Sequence, residues 1–378
     1  MKARLLAAVV MLPVLVGCVA RLAPPQPDEE QAEGVREVYT TAAVNDFIGM
    51  VERVLRVSGR LRTAGAPLCG DRVAPLLGID VERGVAMSQL PHFWKVYLET
   101  FAVGKAVTVT VVDSASPAAR AGVHSGDRIV AVHGRRARKA PDVFEILRDE
   151  PDRPPDLRLE RGGETLEVEI ERVPACAHEV WVDWTSEIIT SRKEHDHAAV
   201  TVGMIRFVEN DDELAVVIGH ELAHRILGGR HPSYPKKEVR ADEIGLYLVA
   251  RAGFDETVAP AFWERFAIEK PWMIRWEPDS KRVKEPRHAR VAERLLAMRT
   301  VLERIAQLRA DGRPLLPPVG HGRDALGLIR SANAPPLRLR GFRGRTWPGR
   351  SGAVRGMPPV SGRAARSGSP SFPRAAGR

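Results

Sequence analysis

The sequence predicts an α+β fold, a mostly helical domain into which a β-rich domain is inserted. Three observations predict it. Residues 211–227 and 238–250 place apolar side chains at helical spacing, among them Leu214, Val217, Ile218 and Leu222. Residues 107–170 hold short apolar runs separated by glycine-bearing turns, the pattern of strands and hairpins. Two cysteines, Cys69 and Cys176, bracket that β-rich stretch.

The chain has 378 residues, enough for two modest domains, each with its own core. Its formal charge of +9 is carried by one end. Residues 336–378 hold ten arginines and no acid or lysine, so everything before them sums to −1. A near-neutral body gives no case for nucleic-acid binding, and no nucleic-acid partner is expected.

Residues 1–17 read as a signal peptide. Lys2 and Arg4 form its charged start, and Leu5 to Val16 form an apolar core too short for a comfortable membrane span. Leu15-Val16-Gly17-Cys18 resembles a bacterial lipobox, which implies cleavage before Cys18 and lipid on that cysteine. An ordinary signal peptide with a chance cysteine is the plainer alternative. Val19 in place of aspartate favours, by the same resemblance, the outer membrane. The expected location is the bacterial cell envelope, lipid-anchored and facing the periplasm, with the membrane as a partner through the N-terminal lipid. Residues 18–33, rich in Pro, Gln and Glu, read as a flexible tether.

Residues 34–68 read as an N-terminal helix. Val35, Val38, Tyr39, Ala42, Phe47, Val51, Val54, Leu55 and Val57 fit an amphipathic pattern loosely, so the helix is expected to pack on the catalytic domain. With Cys18 assigned to lipid, Cys69 and Cys176 remain. In an exported chain they are a candidate disulfide clamping the base of the inserted segment, residues 70–175; two separate thiols are the alternative.

Within that segment, Val107–Val112 is a strand. Ser116-Pro117-Ala118-Ala119-Arg120-Ala121-Gly122-Val123 and Ser125-Gly126-Asp127-Arg128-Ile129-Val130-Ala131-Val132-His133-Gly134 follow. Val143, Phe144, Ile146 and Leu147 mark a short helix, and Leu157 to Ile170 a closing hairpin around Gly162-Gly163. The segment resembles a PDZ domain of the bacterial protease type, with His133 where asparagine is commoner. Such domains add an extended peptide as a strand beside one helix, which implies polypeptide partners. A PDZ fold used only as a spacer is the alternative. Phe101-Ala102-Val103-Gly104 is a candidate for its carboxylate-binding loop.

Residues 178–310 form the helical domain and hold His220-Glu221-Leu222-Ala223-His224. On a helix, positions four apart share a face, so His220 and His224 can bind one zinc ion, with Glu221 placed as general base toward water. Asn210, Asp211, Asp212 and Glu213 favour a helix start, and Gly228-Gly229 a stop. Glu238 and Asp242 are again four apart on a second helix. One carboxylate can complete the metal site, and the other can hold a ligand imidazole by its second nitrogen. The pattern HExxHxxGxxH fails, because Leu227 and Arg230 stand at its last two positions; His231 reads as a loop residue. His195 and His197 suggest a second metal less well than a polar loop. Phe262, Trp263, Phe266, Trp272 and Trp276 read as core, with a cleft wall or a membrane-facing patch as alternatives. Residues 311–378 are rich in Arg, Gly and Pro without periodicity, and disorder is expected.

HExxH, then Glu238-Val239-Arg240-Ala241-Asp242, then Gly245 to Asp255, resembles the CAAX prenyl endopeptidase-like zinc metallopeptidases, family forty-eight of the metallopeptidases. The likeness covers residues 178–308 and includes Val200-Thr201-Val202-Gly203-Met204, similar to that family's active-site edge strand. It implies a gluzincin-type metalloprotease domain with one zinc per chain held by His220, His224 and Glu238. It also implies Glu221 as catalytic base and Asp242 as a support behind a ligand. His288 and Arg294 fall where the family carries transition-state or cleft residues, although Ala289 replaces the usual proline. The expected function is a zinc-dependent metalloendopeptidase acting on envelope proteins, misfolded or unassembled, in protein quality control. The alternative is a lipid-anchored PDZ binding or chaperone module with a latent or structural zinc site. Thirteen residues between His224 and Glu238 argue against an aminopeptidase.

Overall fold

The computed structural model describes residues 28–83, 91–186, 191–194, 197–227, 236–270 and 291–318. These all belong to one compact unit, Met1–Ala334. The expected signal peptide, Cys18, His195, His231, Trp272, Trp276, His288 and the tail beyond residue 318 lie outside the described residues.

The first helix, α1, spans Glu29–Gly65. Asp28 caps it by accepting the Glu30 backbone N–H at 3.2 Å, and Glu29 and Glu30 place negative charge in the first turn. Residues 29–33, expected as tether, are therefore helical, because the cap lies ahead of them. The expected packing is also shorter than the apolar pattern. Val35, Val38 and Tyr39 are 55%, 67% and 71% exposed, and burial starts at Val44. From there Phe47, Val51, Val54, Val57 and Leu61 face the core.

The inserted domain follows. Its elements are β1 (Val73–Pro75), β2 (Ile79–Arg83), α2 (His92–Thr100), β3 (Val107–Val112), α3 (Pro117–Arg120), β4 (Arg128–Val132), β5 (Arg135–Arg136), α4 (Ala140–Asp149), β6 (Asp156–Arg161), β7 (Glu164–Glu169) and β8 (Pro174–Cys176). The main sheet runs β2-β3-β4-β6-β7, antiparallel throughout, with β5 on β4. Gly162 and Gly163, at φ +59° and +89°, make the two-residue turn joining β6 to β7, where side chains with a Cβ are strained. Ile79, Val81, Val109, Ile129, Leu157 and Leu159 fill a core separate from that of the helical domain. The base is closed by β1 pairing β8, with Val73 opposite Cys176. Beside that pair Cys69 and Cys176 are joined at a Cα–Cα distance of 5.7 Å.

The sheet ends at β2 and at β7 among the described residues, and α4 packs beside β2. Phe101–Gly104, expected as a carboxylate-binding loop, is remote from that edge strand in the chain. It trails α2, where Phe101 meets Tyr97 edge-on at 5.3 Å and Val103 packs on the helical core. The apolar pair Leu76-Leu77, with Gly78 at φ +75°, is what enters β2. A Cβ on Gly78 would lie 2.4 Å from Ser116 Cβ, so glycine is required there.

Alternation along β2 sends Ile79 and Val81 inward, and Asp80 and Glu82 to the other face. That face lines a cavity of about 280 Å³ shared with Phe47, Trp94, Tyr97, Trp181, Trp184 and His197. Thr110 Oγ1 and Tyr97 Oη donate to Asp80 Oδ2 at 2.6 and 3.4 Å. Burial raises the Asp80 carboxyl, and burial followed by the Asp80 charge pushes Glu82 up to about 8. A raised carboxyl makes the unfolded chain release its proton first as pH rises. Stability is therefore fully present below about 4.5 and is lost progressively toward 8. We expect thermal melts to show a higher Tm at the acidic end of that window, and Glu82→Gln to reduce the difference. An unchanged pH dependence in that variant would remove Glu82 as its source.

The helical domain begins with β9 (Val180–Asp183), β10 (Ser191–Glu194) and β11 (His197–Thr201), then α5 (Val202–Phe207), α6 (Asp211–Leu227), α7 (Lys236–Arg251), α8 (Ala259–Glu269) and α9 (Val291–Ala310). The small sheet runs β10-β11-β9, β11 being antiparallel to β10 and parallel to β9. The strand expected as a substrate-binding edge is thus the central one, already paired on both sides. It also stops sooner than expected. Thr201 Oγ1 accepts the Met204 N–H at 3.2 Å and so caps α5 at the point where the strand was read to continue.

Residues 311–318, expected as disordered tail, lie on α7. Arg251 Nη1 donates to the Leu315 carbonyl at 3.3 Å, and Arg240 Nη2 donates to that of Pro318 at 2.9 Å. Among the described residues no helix is long and apolar enough to cross a membrane.

Candidate metal centre

Helices α6 and α7 carry the site, and they cross closely. A Cβ on Gly219 would lie 3.0 Å from the Gly245 carbonyl oxygen, and one on Gly245 would lie 3.0 Å from the His220 nitrogen. Both obstacles are backbone, which cannot swing aside, so a side chain at either position would push the helices apart. This contact brings the first turn of α7 against the histidines of α6.

His220, His224 and Glu238 come together, all buried. Their donor atoms form a small triangle. The Nε2 atoms of His220 and His224 are 3.0 Å apart, and Glu238 Oε2 is 3.3 Å from the first and 3.5 Å from the second. Ligands about 2.1 Å from one ion at a tetrahedral angle are about 3.4 Å apart, so this triangle fits a metal of zinc's size. Among the described residues it is the one group of histidine and carboxylate ligands with this arrangement. His197 is instead stacked on Trp181, with ring centroids 4.3 Å apart.

Behind the triangle stands a second row. Asp242 Oδ1 lies 2.8 Å from His220 Nδ1, which turns the opposite nitrogen, Nε2, toward the other two donors. Arg294, on α9, clamps Asp242 with both arms of its guanidinium. Nε donates to Oδ2 at 2.6 Å and Nη2 to Oδ1 at 2.7 Å. The guanidinium also sits 4.2 Å from the centre of the Trp263 ring. Arg294 was expected at the cleft. It is instead buried, 3% exposed, and paired with Asp242, which in turn holds His220. Spacing along the chain could not show this, because α9 is brought to α7 only by tertiary packing.

The protonation pattern follows from these partners. Burial disfavours charge on both imidazoles. At His220 the hydrogen bond and charge of Asp242 overcome it and raise the group to about 9. At His224 burial prevails, assisted by the neighbouring His220, and the group is lowered. Burial raises the Asp242 carboxyl, but Arg294 outweighs it and holds the group below its ordinary range. Glu221 lies on the same helix as both histidines and is buried, 3% exposed.

Two separate stretches of the chain match known families. Residues 190–234 match Peptidase family M48, and residues 108–161 match the PDZ domain. No curated protein matches the chain. Two solved structures are similar over about a quarter of the chain each. The HtrA3 PDZ domain bound to a phage-derived ligand (FGRWV) is 22% identical, covering 27% of this chain and 88% of that one, with a TM-score of 0.22. The HtrA-type protease AlgW with a decapeptide is 22% identical, covering 26% of this chain and 29% of that one, with a TM-score of 0.21. The M48 match ends just past the second histidine and leaves out Glu238 and Asp242, which the fold itself delivers to the site. The two family matches support a metallopeptidase of family M48 that carries a PDZ domain.

Proposed function

We propose that the chain is a zinc-dependent metalloendopeptidase that hydrolyses peptide bonds of envelope proteins as part of their quality control. We further propose that lipid on Cys18 holds it at the outer membrane, facing the periplasm. The observation that carries the enzymatic reading is the buried triangle of His220, His224 and Glu238, with Glu221 adjacent to the first histidine. A purely structural site has no use for that glutamate, and a structural zinc takes four protein ligands rather than three.

His220, His224 and Glu238 would hold zinc, which would supply Lewis acidity toward a scissile carbonyl and toward water. Glu221 takes the proton from the attacking water and delivers it to the departing amine. Asp242 holds His220 by Nδ1 and thereby fixes the orientation of the ring, while Arg294 keeps Asp242 ionised for that task. Since β11 is paired on both sides, an extended substrate adds along β10, the neighbouring edge strand.

Metal removal tests the reading. The purified chain is expected to contain one zinc and to cleave an unfolded protein. A chelator should abolish cleavage, and stoichiometric zinc should restore it. Cleavage that persists in a chain shown to hold no metal would overturn the proposal.

A further inference from the structure

A PDZ domain takes its peptide as an added strand on a free sheet edge, in the groove beside one helix. Here that edge is β2 and the helix is α4. Part of the chain itself stands over this groove. Val51, Val54 and Leu55 of α1, together with Glu179 and Val180–Val182 leading through β9, stand opposite Ile79–Glu82 of β2 and Phe144 of α4. The space left among them is about 30 Å³, room for roughly one water molecule and not for a strand, and the cavity of about 280 Å³ adjoins it on the Asp80 and Glu82 side. The wall is pinned in place. Arg62 of α1 grips Glu179 with two bonds of 2.6 and 2.7 Å and donates to the Cys176 carbonyl at 2.9 Å.

We propose that the peptide groove of the inserted domain is closed by the chain's own helix α1 and strand β9, and that a polypeptide occupies it only after the inserted domain swings out. The domain leaves and rejoins the chain at one base, where β1 pairs β8 beside the Cys69–Cys176 bridge, and swinging out also parts α2 from α1, where Tyr97 now meets Phe47 edge-on at 5.3 Å. A peptide in the groove and the closed seam exclude each other, so the peptide shifts the chain toward the open state by its preference for that state. The shift reaches the catalytic domain, because β9 pairs β11 and the His197 carbonyl of β11 accepts from Arg225, next to His224. That last link rests on the metallopeptidase reading, whereas the occlusion itself does not.

The test therefore uses binding and amide exchange rather than cleavage. The probe is a labelled FGRWV pentapeptide, added to the full chain and to its Leu55→Asp variant. Leu55 is half-buried on the closing helix, so a charge there disfavours the seam more than the fold. In the variant, β2 and α4 amides should exchange at least about ten-fold faster and the pentapeptide should bind about ten-fold tighter, with the β6–β7 hairpin unchanged. In the wild-type chain, saturating pentapeptide should slow exchange in β2 and speed it in β9. This second reading is independent of how well the variant folds. Measurable binding of equal strength to both chains would overturn the proposal, and so would protection of β2 by the pentapeptide with β9 unaltered.

Discussion

Glu221→Gln will keep the chain folded and loaded with zinc while lowering its cleavage of an unfolded protein by at least about 100-fold. The substitution keeps the size and shape of the side chain and removes only its ability to take a proton. Glu221 is not among the three donors of the triangle, so zinc content should stay at one per chain. It is also buried, and an amide fills the same space without a charge that needs a partner. Zinc content by elemental analysis and cleavage measured on the same samples separate the two roles. A variant that cleaves as well as the wild type would remove Glu221 as the base. One that loses zinc along with activity would make it a ligand.

The second large effect is expected at Arg294. Arg294→Met removes the guanidinium that neutralises Asp242 but keeps much of the apolar bulk against Trp263. Breaking a buried pair from one side leaves the other charge uncompensated, at a cost of about 3–5 kcal/mol. The carboxyl of Asp242 should rise once its largest lowering influence is gone, and a protonated Asp242 holds the His220 ring less firmly. Zinc affinity should therefore fall about 10–100-fold, the usual cost of losing a partner behind a ligand. Urea unfolding reads the first effect and competition with a chelator reads the second. Arg294→Lys keeps the charge but not the two-armed geometry, so it should recover stability better than zinc affinity. If Arg294→Met matched the wild type in both measurements, Arg294 would have no positioning role.

Much of the site was legible in the sequence because helical periodicity is a local property. Residues four apart on a helix share a face whatever the rest of the chain does, so His220 with His224, and Glu238 with Asp242, could be paired directly from their spacing. The strands of the inserted domain were legible for the same reason, through alternation and glycine turns. The apolar stripe on α1 misled at its start, since a periodic pattern does not show where the neighbouring body ends. Val35, Val38 and Tyr39 continue the stripe into solvent. The stop of β11 at Thr201 was obscured by Val202, whose β-branched side chain favours a strand although here it opens a helix.

The sequence alone determined the candidate groups of the site and the domain plan: two imidazoles, a glutamate beside the first, two carboxylates four apart and a separate β-rich insert. It could do so because each of those features is set by spacing within one element. Spacing alone left open which carboxylate faces the imidazoles and which stands behind; the resemblance implied Glu238 in front, and the physical reason lies in how α7 crosses α6 at Gly219 and Gly245. Tertiary structure alone assigned Arg294 to Asp242, across 52 residues, and set the groove of β2 and α4 against α1 and β9. Contacts between distant elements come from the shapes and buried areas of whole surfaces, and no local pattern of residues encodes them.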